Sequence, residues 1–386
     1  MTQKVFLAVL FLYVLGFSLH ALYLHKTVYG DGIYYYSWMR SILVDRDINF
    51  SNEYSYFHAS QPTTPLAIPG NKYSIGPAVL WAPWFLWTHI LVRGSGYEFP
   101  YQFIVGLSSV LYGIFGLVLL YGILNKYFGR LPSLAGVVAI AGATNLLFYG
   151  SLDTVNSHAV SFFAAALFLT FLFQKPKNWL LIGASLGLCA LVRTQDLAYG
   201  ALLVPNFIRT RLGGLRFQGE ALKKIVMVFC GLLIAFLPQL VAWQLLYGKF
   251  WISPYLGTLE GFDFLHPHIV GVLFSLQNGL ILWTPIVAIG FVGLWLKSKL
   301  FPAKLMALIV LLQLFVIASW STWWQGASYS GRMFVSSLPL VAIGLSNFFT
   351  KIFGLRFRAL ILFAAIIIPL SLINLLLIVF FLLKQT

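Results

Sequence analysis

The sequence predicts an all-α fold, a polytopic transmembrane helical bundle of about eleven spans, and three observations carry that expectation. Sixty per cent of the residues are hydrophobic and 9% are charged, a balance that could not keep a chain of this length soluble as a globule. Apolar runs of roughly 17 to 25 residues recur along nearly the whole length, each long enough to cross a hydrocarbon core of about 30 Å. The third observation is the placement of charge. The formal net charge is +15, and it falls in basic clusters between the apolar runs: Lys126/Arg130, Lys175/Lys177, Arg209/Arg211/Arg216/Lys223/Lys224, Lys297/Lys299/Lys304 and Lys351/Arg356/Arg358, with Lys4 ahead of the first run. Positive-inside bias explains that pattern and puts these clusters in the cytoplasm, so the charge does not call for a nucleic-acid partner.

The spans follow in order. The first run, 5–24, follows Lys4 in the manner of a signal peptide, but no small-x-small cleavage site succeeds it, so it reads as an uncleaved first span. The others are 101–124, 131–149, 158–174, 179–195, 197–208, 225–247, 279–296, 303–320, 333–350 and 359–383, which leaves the C-terminus outside. The 197–208 span is short for a crossing. Residues 74–92 form one further apolar segment, but a crossing there would put Lys126 and Arg130 outside. Pro77 and Pro83 are expected to interrupt a regular helix, and Trp81, Trp84 and Trp87 suit headgroup depth, so the segment reads as re-entrant or interfacial. Residues 1–386 then form a single integral membrane domain, with a first outer loop at 25–100 and a second long outer loop at 248–278. Cys189 and Cys230 lie in apolar runs and read as small core hydrophobes.

With this topology nine of the ten acids lie outside and only Glu220 inside. Four of the ten, Asp31, Asp45, Asp47 and Glu53, stand in the first outer loop beside aromatic residues. Carboxylates at a bilayer interface are desolvated at a cost, which makes the cluster a candidate site. Residues 33–43 have the spacing of an amphipathic juxtamembrane helix, where Tyr35 can stack on a ring or anchor at the interface. Walker loops, Gly-rich dinucleotide turns and His/Cys ligand spacings are absent, so ATP-driven transport, hydride transfer and a structural zinc site have no support.

The acidic motif after the first span, SLDTVNSH at 151–158, LVRTQD at 191–196 and above all WWQGASYSGRMFVSSLPL at 323–340 resemble the GT-C superfamily of polytopic glycosyltransferases, which includes protein O-mannosyltransferases and aminoarabinose transferases. The resemblance covers most of the chain and is nearest to uncharacterised bacterial members. It implies transfer of a monosaccharide from a polyprenyl-phosphate donor to a lipid, glycan or protein acceptor, on the non-cytoplasmic face of a bacterial cytoplasmic membrane. It also implies a catalytic acid in the first outer loop, which falls on Asp31. The mannosyltransferase-like pattern has two adjacent acids there, whereas Asp31 is followed by Gly32.

A carboxylate at that place takes the proton from an attacking hydroxyl or orients it. Asp153 ranks second, and Asp45 and Asp47 are the fallback, with a turn or helix cap as their other reading. Arg332 and Arg193 are candidates to neutralise the leaving phosphate, a guanidinium being suited to bidentate contact. Arg193 has a competing role, a pair with Asp196 three residues on. Lys72 meets a lipid phosphate or snorkels to headgroups. His158, Trp324 and Tyr329 complete the outer-end polar and aromatic set. His266 and His268 flank a proline and suit a single metal poorly, while a divalent cation held by carboxylates stays open. A flippase for lipid-linked saccharides and a polysaccharide polymerase or ligase are the rival readings. Clustering of charge on one side, without a visible internal repeat, favours the transferase over the flippase.

Overall fold

The computed structural model describes residues 2–211, 215–252, 260–298, 300, 302–354 and 359–385. Lys299, Arg356 and Arg358, the side chains of Arg209, Arg211 and Arg216, and residues 253–259 of the second long loop lie outside that description. The described residues are helical, joined by loops with two isolated bridges, Thr63 to Pro69 and Phe262 to Trp320.

Helix α1 (Thr2–Leu24) leads to a first connection that holds α2 (Gly32–Arg40), α3 (Ser51–Tyr56) and α4 (Gly76–Val92). The bundle continues with α5 (Phe99–Phe128), α6 (Arg130–Ala143), α7 (Leu146–Ser151), α8 (Ser157–Phe173) and α9 (Trp179–Val192). A 3₁₀ segment, Thr194–Leu203, runs into α10 (Val204–Arg211), and α11 (Leu215–Tyr247) follows. Then come α12 (Ile269–Phe274), α13 (Leu280–Trp283), α14 (Ile286–Trp295), α15 (Ala303–Ser319), a 3₁₀ turn Arg332–Ser337, α16 (Leu338–Phe353) and α17 (Ala359–Gln385). Among the described residues five helical stretches are long and apolar enough to cross a membrane: α1, α5, the Gly219–Tyr247 part of α11, Arg332–Phe353 and the Ile361–Lys384 part of α17. Shorter apolar helices fill in between them.

Side-chain contacts define two ends. At one, Arg130 Nε donates to Thr2 Oγ1 at 3.0 Å, Lys126 reaches the Phe173 carbonyl, and Lys224 lies 5.7 Å from the Trp179 ring centroid. The other end carries Asp31, Asp153, Arg193 and Arg332. Between these ends, among the described residues, run the five long apolar stretches and the shorter apolar helices α6, α8, α9, α14 and α15. The segment expected as a short span changes helix type: ten residues at the 3₁₀ rise of about 2.0 Å cover about 20 Å, against about 21 Å for the fourteen α-helical residues of α9.

Two expectations for the first connection are corrected. Pro77 and Pro83 do not interrupt α4: Pro77 sits in the first turn, where no intrahelical N–H is needed, and Pro83 is carried inside a continuous helix. Trp81 Nε1 donates to Ser109 Oγ (2.8 Å) and Tyr112 donates to the Leu80 carbonyl (2.9 Å), while His89 meets Tyr101. These pairs fall in the first half of α5, so α4 stays in the acidic half of the molecule. Helix α2 forms, but it is covered and does not lie open as a surface helix. Tyr36, Trp38 and Met39 are buried, and Trp38 Nε1 donates to the Tyr73 carbonyl at 2.9 Å.

Interhelical contact relies on small residues, as it must where lipid supplies no hydrophobic drive between helices. A Cβ on Gly344 of α16 would overlap the Gly290 carbonyl of α14. Gly344→Ala is therefore expected to destabilise by about 1–3 kcal/mol, the usual cost of overpacking. Gly122→Ala, where nothing lies within 4 Å, is expected to be neutral or slightly stabilising. Thermal unfolding in detergent compares the two.

Candidate active site

The chain turns from α1 into α2 through Gly30, whose φ of +54° suits glycine. That turn places Asp31 at the start of α2, where its side chain is not used as a helix cap. Its Oδ2 pairs with Arg332 Nη1 at 2.8 Å, and its Oδ1 accepts from the Tyr73 hydroxyl at 2.8 Å. The pair is part-buried, the side chains of Arg332 and Asp31 being 22% and 29% exposed. The first loop and the Gly331-Arg332 motif thus meet from opposite ends of the sequence.

Gly32 explains the missing second acid. A Cβ there would overlap the Val155 carbonyl, so a longer side chain would push away the 152–156 loop that carries Asp153. Burial pushes the Asp153 carboxyl up to about 7, against a smaller downward pull from Asn156 and Arg332, and Asp31 adds to the rise. Two carboxylates and one guanidinium therefore act on one another here. The Asn156 side chain caps α8, accepting from His158 N at 2.8 Å, which fixes the loop.

Beside this cluster lies a cavity of about 310 Å³ lined by Tyr35, Lys72, Arg193, Gln195, Trp243 and Trp320, among others, a size at the small end of ligand pockets. Arg193 Nη1 donates to Ser157 Oγ and His158 Nδ1, both at 3.1 Å, and Tyr35 donates to the same Ser157 hydroxyl at 3.0 Å. The Arg193 Nε is buried without a hydrogen-bond partner among the described residues, an orphan donor on a cavity wall. Lys72 is ion-paired with Glu260. The wall formed by Trp243, Phe262, Val316, Ile317 and Trp320 is apolar. An anionic group with a hydrocarbon tail matches both halves of this lining.

The arrangement gathers Asp31, Asp153, Arg332, Arg193, Lys72, Tyr35 and His158 around one end of the bundle, and it separates others. Asp45 and Asp47 are not brought to the cluster. Asp45 pairs with Arg40 at 2.5 Å and accepts from Asn52, while Asp47 accepts from Ser41 Oγ at 2.6 Å and the Asn49 backbone, so both hold the turn after α2. Arg193 does not pair with Asp196. The i,i+3 relation needs a helix, and the backbone turns extended at Arg193 (φ −147°, ψ 110°), while Asp196 accepts instead from Ser336 and Gln313.

Tyr329 is fully buried with its hydroxyl committed to Asn374 of α17, a packing role rather than a substrate-facing one. Trp324 is half-exposed against Trp323 and outside the cavity lining, which takes Trp320 and Trp243 instead. His266 pairs with Asp263 in an exposed turn while His268 stacks on Trp323 at 5.0 Å. Among the described residues no three His, Cys, Asp or Glu side chains converge to hold a metal, and Arg332 already holds Asp31.

Sequence reasoning missed Glu260 as the partner of Lys72, Tyr73 as that of Asp31, and Gln195, Gln239, Trp243 and Trp320 in the lining. The only available signal was adjacency, Tyr73 to Lys72 and Gln195 to Arg193.

No protein-family model and no curated protein sequence matches the chain. Solved structures do. ArnT from Cupriavidus metallidurans in the apo state aligns at a TM-score of 0.58 and 14% identity, over 90% of this chain and 59% of that one. The same protein bound to undecaprenyl phosphate gives 0.56 at 14% identity, with the same coverage. An oligosaccharyltransferase from Archaeoglobus fulgidus, in a complex with Zn and sulfate, gives 0.58 at 16% identity over 96% of this chain and 52% of that one. The chain therefore spans between half and three-fifths of the length of these structures. Identities this low speak for the fold alone, and that fold agrees with the one the sequence resemblance implies: the chain shares the helical membrane fold of ArnT and of the oligosaccharyltransferase.

Proposed function

We propose that the chain is an inverting glycosyltransferase that moves a monosaccharide from a polyprenyl-phosphate donor to an acceptor hydroxyl at the acidic end of the bundle. The observation that carries this reading is the Asp31–Arg332 pair, with part-buried Asp153 beside it, next to a cavity that sets Arg193 and Lys72 against an apolar wall. ArnT, which shares the fold, has been solved with undecaprenyl phosphate, and a carrier of that kind suits the cavity.

In the proposed step the acceptor oxygen attacks the anomeric carbon as its proton passes to a carboxylate. The bond from that carbon to the phosphate oxygen breaks, and its electron pair stays on the phosphate. Arg193 and Lys72 neutralise the charge that develops there, the latter exchanging Glu260 for the donor, so a cation and not a general acid serves the leaving group. Arg332 holds Asp31 in place, and Asp31 orients the acceptor or takes its proton.

The test is an assay in membranes carrying the chain, supplied with a labelled monosaccharide on polyprenyl phosphate. Label is expected to move to an acceptor fraction with release of polyprenyl phosphate. Donor crossing the bilayer with its sugar still attached would replace the transferase reading with a flippase.

Asp153 predicts the pH profile. Burial pushes its carboxyl up to about 7, so the negative charge it places beside the Asp31–Arg332 pair is lost as pH falls through that value, and transfer falls with it. In Asp153→Asn that acidic limb is expected to disappear from the rate profile. An unchanged limb in the variant would assign it to another group.

The reading also fixes sidedness, with the acidic end outside the cytoplasm. Single cysteines at positions 31 and 126, in a chain whose Cys189 and Cys230 are replaced, are expected to react with an impermeant maleimide from opposite sides. Labelling of both from one side would reverse the topology.

A further inference from the structure

The basic end of the bundle holds a second cavity, of about 270 Å³, where the ends of α5, α8 and the 3₁₀ segment meet the connection between α14 and α15. Lys175 and Lys177 line it with Tyr127, Phe173, Pro205 and Asn206. Lys177 is fixed in place, half-buried, with its ammonium donating to the Leu172 carbonyl and lying 5.7 Å from the Trp179 ring centroid. Lys175 is exposed at the cavity. Among the described residues no carboxylate pairs with either lysine, and of the ten acids only Glu220 belongs to this end.

Topology bias accounts for lysines in these connections, but not for two of them lining one half-open cavity. Burial and the like charge of Lys175 both depress the Lys177 pKa, a cost that an anion between the two would remove. Apart from Asn206 the rest of the lining is apolar or aromatic, so the site joins two cations to hydrocarbon walls at the edge of a bilayer. That is the chemistry of a pocket between transmembrane helices that takes a lipid headgroup. We infer that this cavity binds the phosphate headgroup of an anionic membrane lipid, in the leaflet opposite the proposed active site.

A charge-assisted contact of this kind is worth on the order of tenfold in affinity. Removing two should cost on the order of a hundredfold. The full chain would be placed in phosphatidylcholine nanodiscs doped with phosphatidylglycerol, and the lipid that stays bound counted by native mass spectrometry. The parent is expected to retain phosphatidylglycerol selectively, Lys175→Gln/Lys177→Gln to lose it, and Lys175→Arg/Lys177→Arg to keep it. The charge-matched control Lys223→Gln/Lys304→Gln, at the same end but outside the lining, is expected to keep it as well.

Equal loss in that control would reduce the effect to general electrostatics and overturn the site, as would full retention in the double Gln variant. If the double Gln variant does not fold, the single Lys175→Gln, a change of one exposed residue, carries the comparison with an expected loss of about tenfold. A parallel arm supplies inorganic phosphate to nanodiscs of phosphatidylcholine alone. Thermal stabilisation there, dependent on the two lysines and without any lipid preference, would make free phosphate the ligand and overturn the lipid assignment.

Discussion

Asp31→Asn is expected to lower sugar transfer by about 10² to 10⁴, the usual worth of general-base assistance, while donor binding survives. Asparagine keeps the size of the side chain and can still accept from Tyr73, but it has no basicity and leaves Arg332 without its counter-ion. In the proposed reading donor binding rests on Arg193, Lys72 and the apolar wall, which Asp31 does not line, so the loss should appear in kcat and not in donor affinity. The measurement is single-turnover transfer from a labelled donor with a parallel binding assay. Asp45→Asn and Asp47→Asn serve as controls: both acids hold the turn after α2, so each should cost stability at most, with turnover per folded molecule unchanged. Parental turnover in Asp31→Asn together with a dead Asp153→Asn would move the proton transfer to Asp153 and leave the enzyme class intact. Parental turnover in both would remove the carboxylates from the chemistry.

The parts of this molecule that could be read from sequence are those that a bilayer enforces locally. Apolar run length marks the passes because each must satisfy its own backbone across the hydrocarbon. The basic clusters mark one end because their charge is written in the connections, and Lys126, Arg130, Lys177 and Lys224 do share that end. The 3₁₀ geometry of Thr194–Leu203 was not legible, since no propensity of those residues announces a change of rise.

At the site, Asp31, Asp153, Arg193 and Arg332 could be nominated one at a time as polar groups in costly places. Their assembly could not. The Asp31–Arg332 pair joins the two halves of the chain, and the place of the Asp153 loop beside it depends on Gly32 admitting the Val155 carbonyl, a close approach with no sequence signature. The Arg193–Asp196 expectation failed for a related reason. Spacing rules assume the helix continues, and α9 ends at Val192.

Arg332→Ala is expected to reduce transfer by about 10² to 10³, comparable to removing one preorganised electrostatic group from an active site. Arg332 is joined to Asp31, and Asp31 to Tyr73, so truncation releases the carboxylate from the geometry in which it meets an acceptor. Lysine should restore little, because its ammonium is a compact, strongly hydrated charge on a flexible stem and cannot reproduce a planar guanidinium. The pair also predicts non-additivity. If Arg332 acts by holding Asp31, then Asp31→Asn made in the Arg332→Ala background should cost much less than in the parent, with a coupling well above the few tenths of a kcal/mol found between independent sites. If the two effects simply multiply, Arg332 acts on the donor phosphate directly. The donor-binding assay then decides, since an arginine that grips the phosphate in the ground state raises the donor Kd when truncated, whereas one that only positions Asp31 leaves it unchanged.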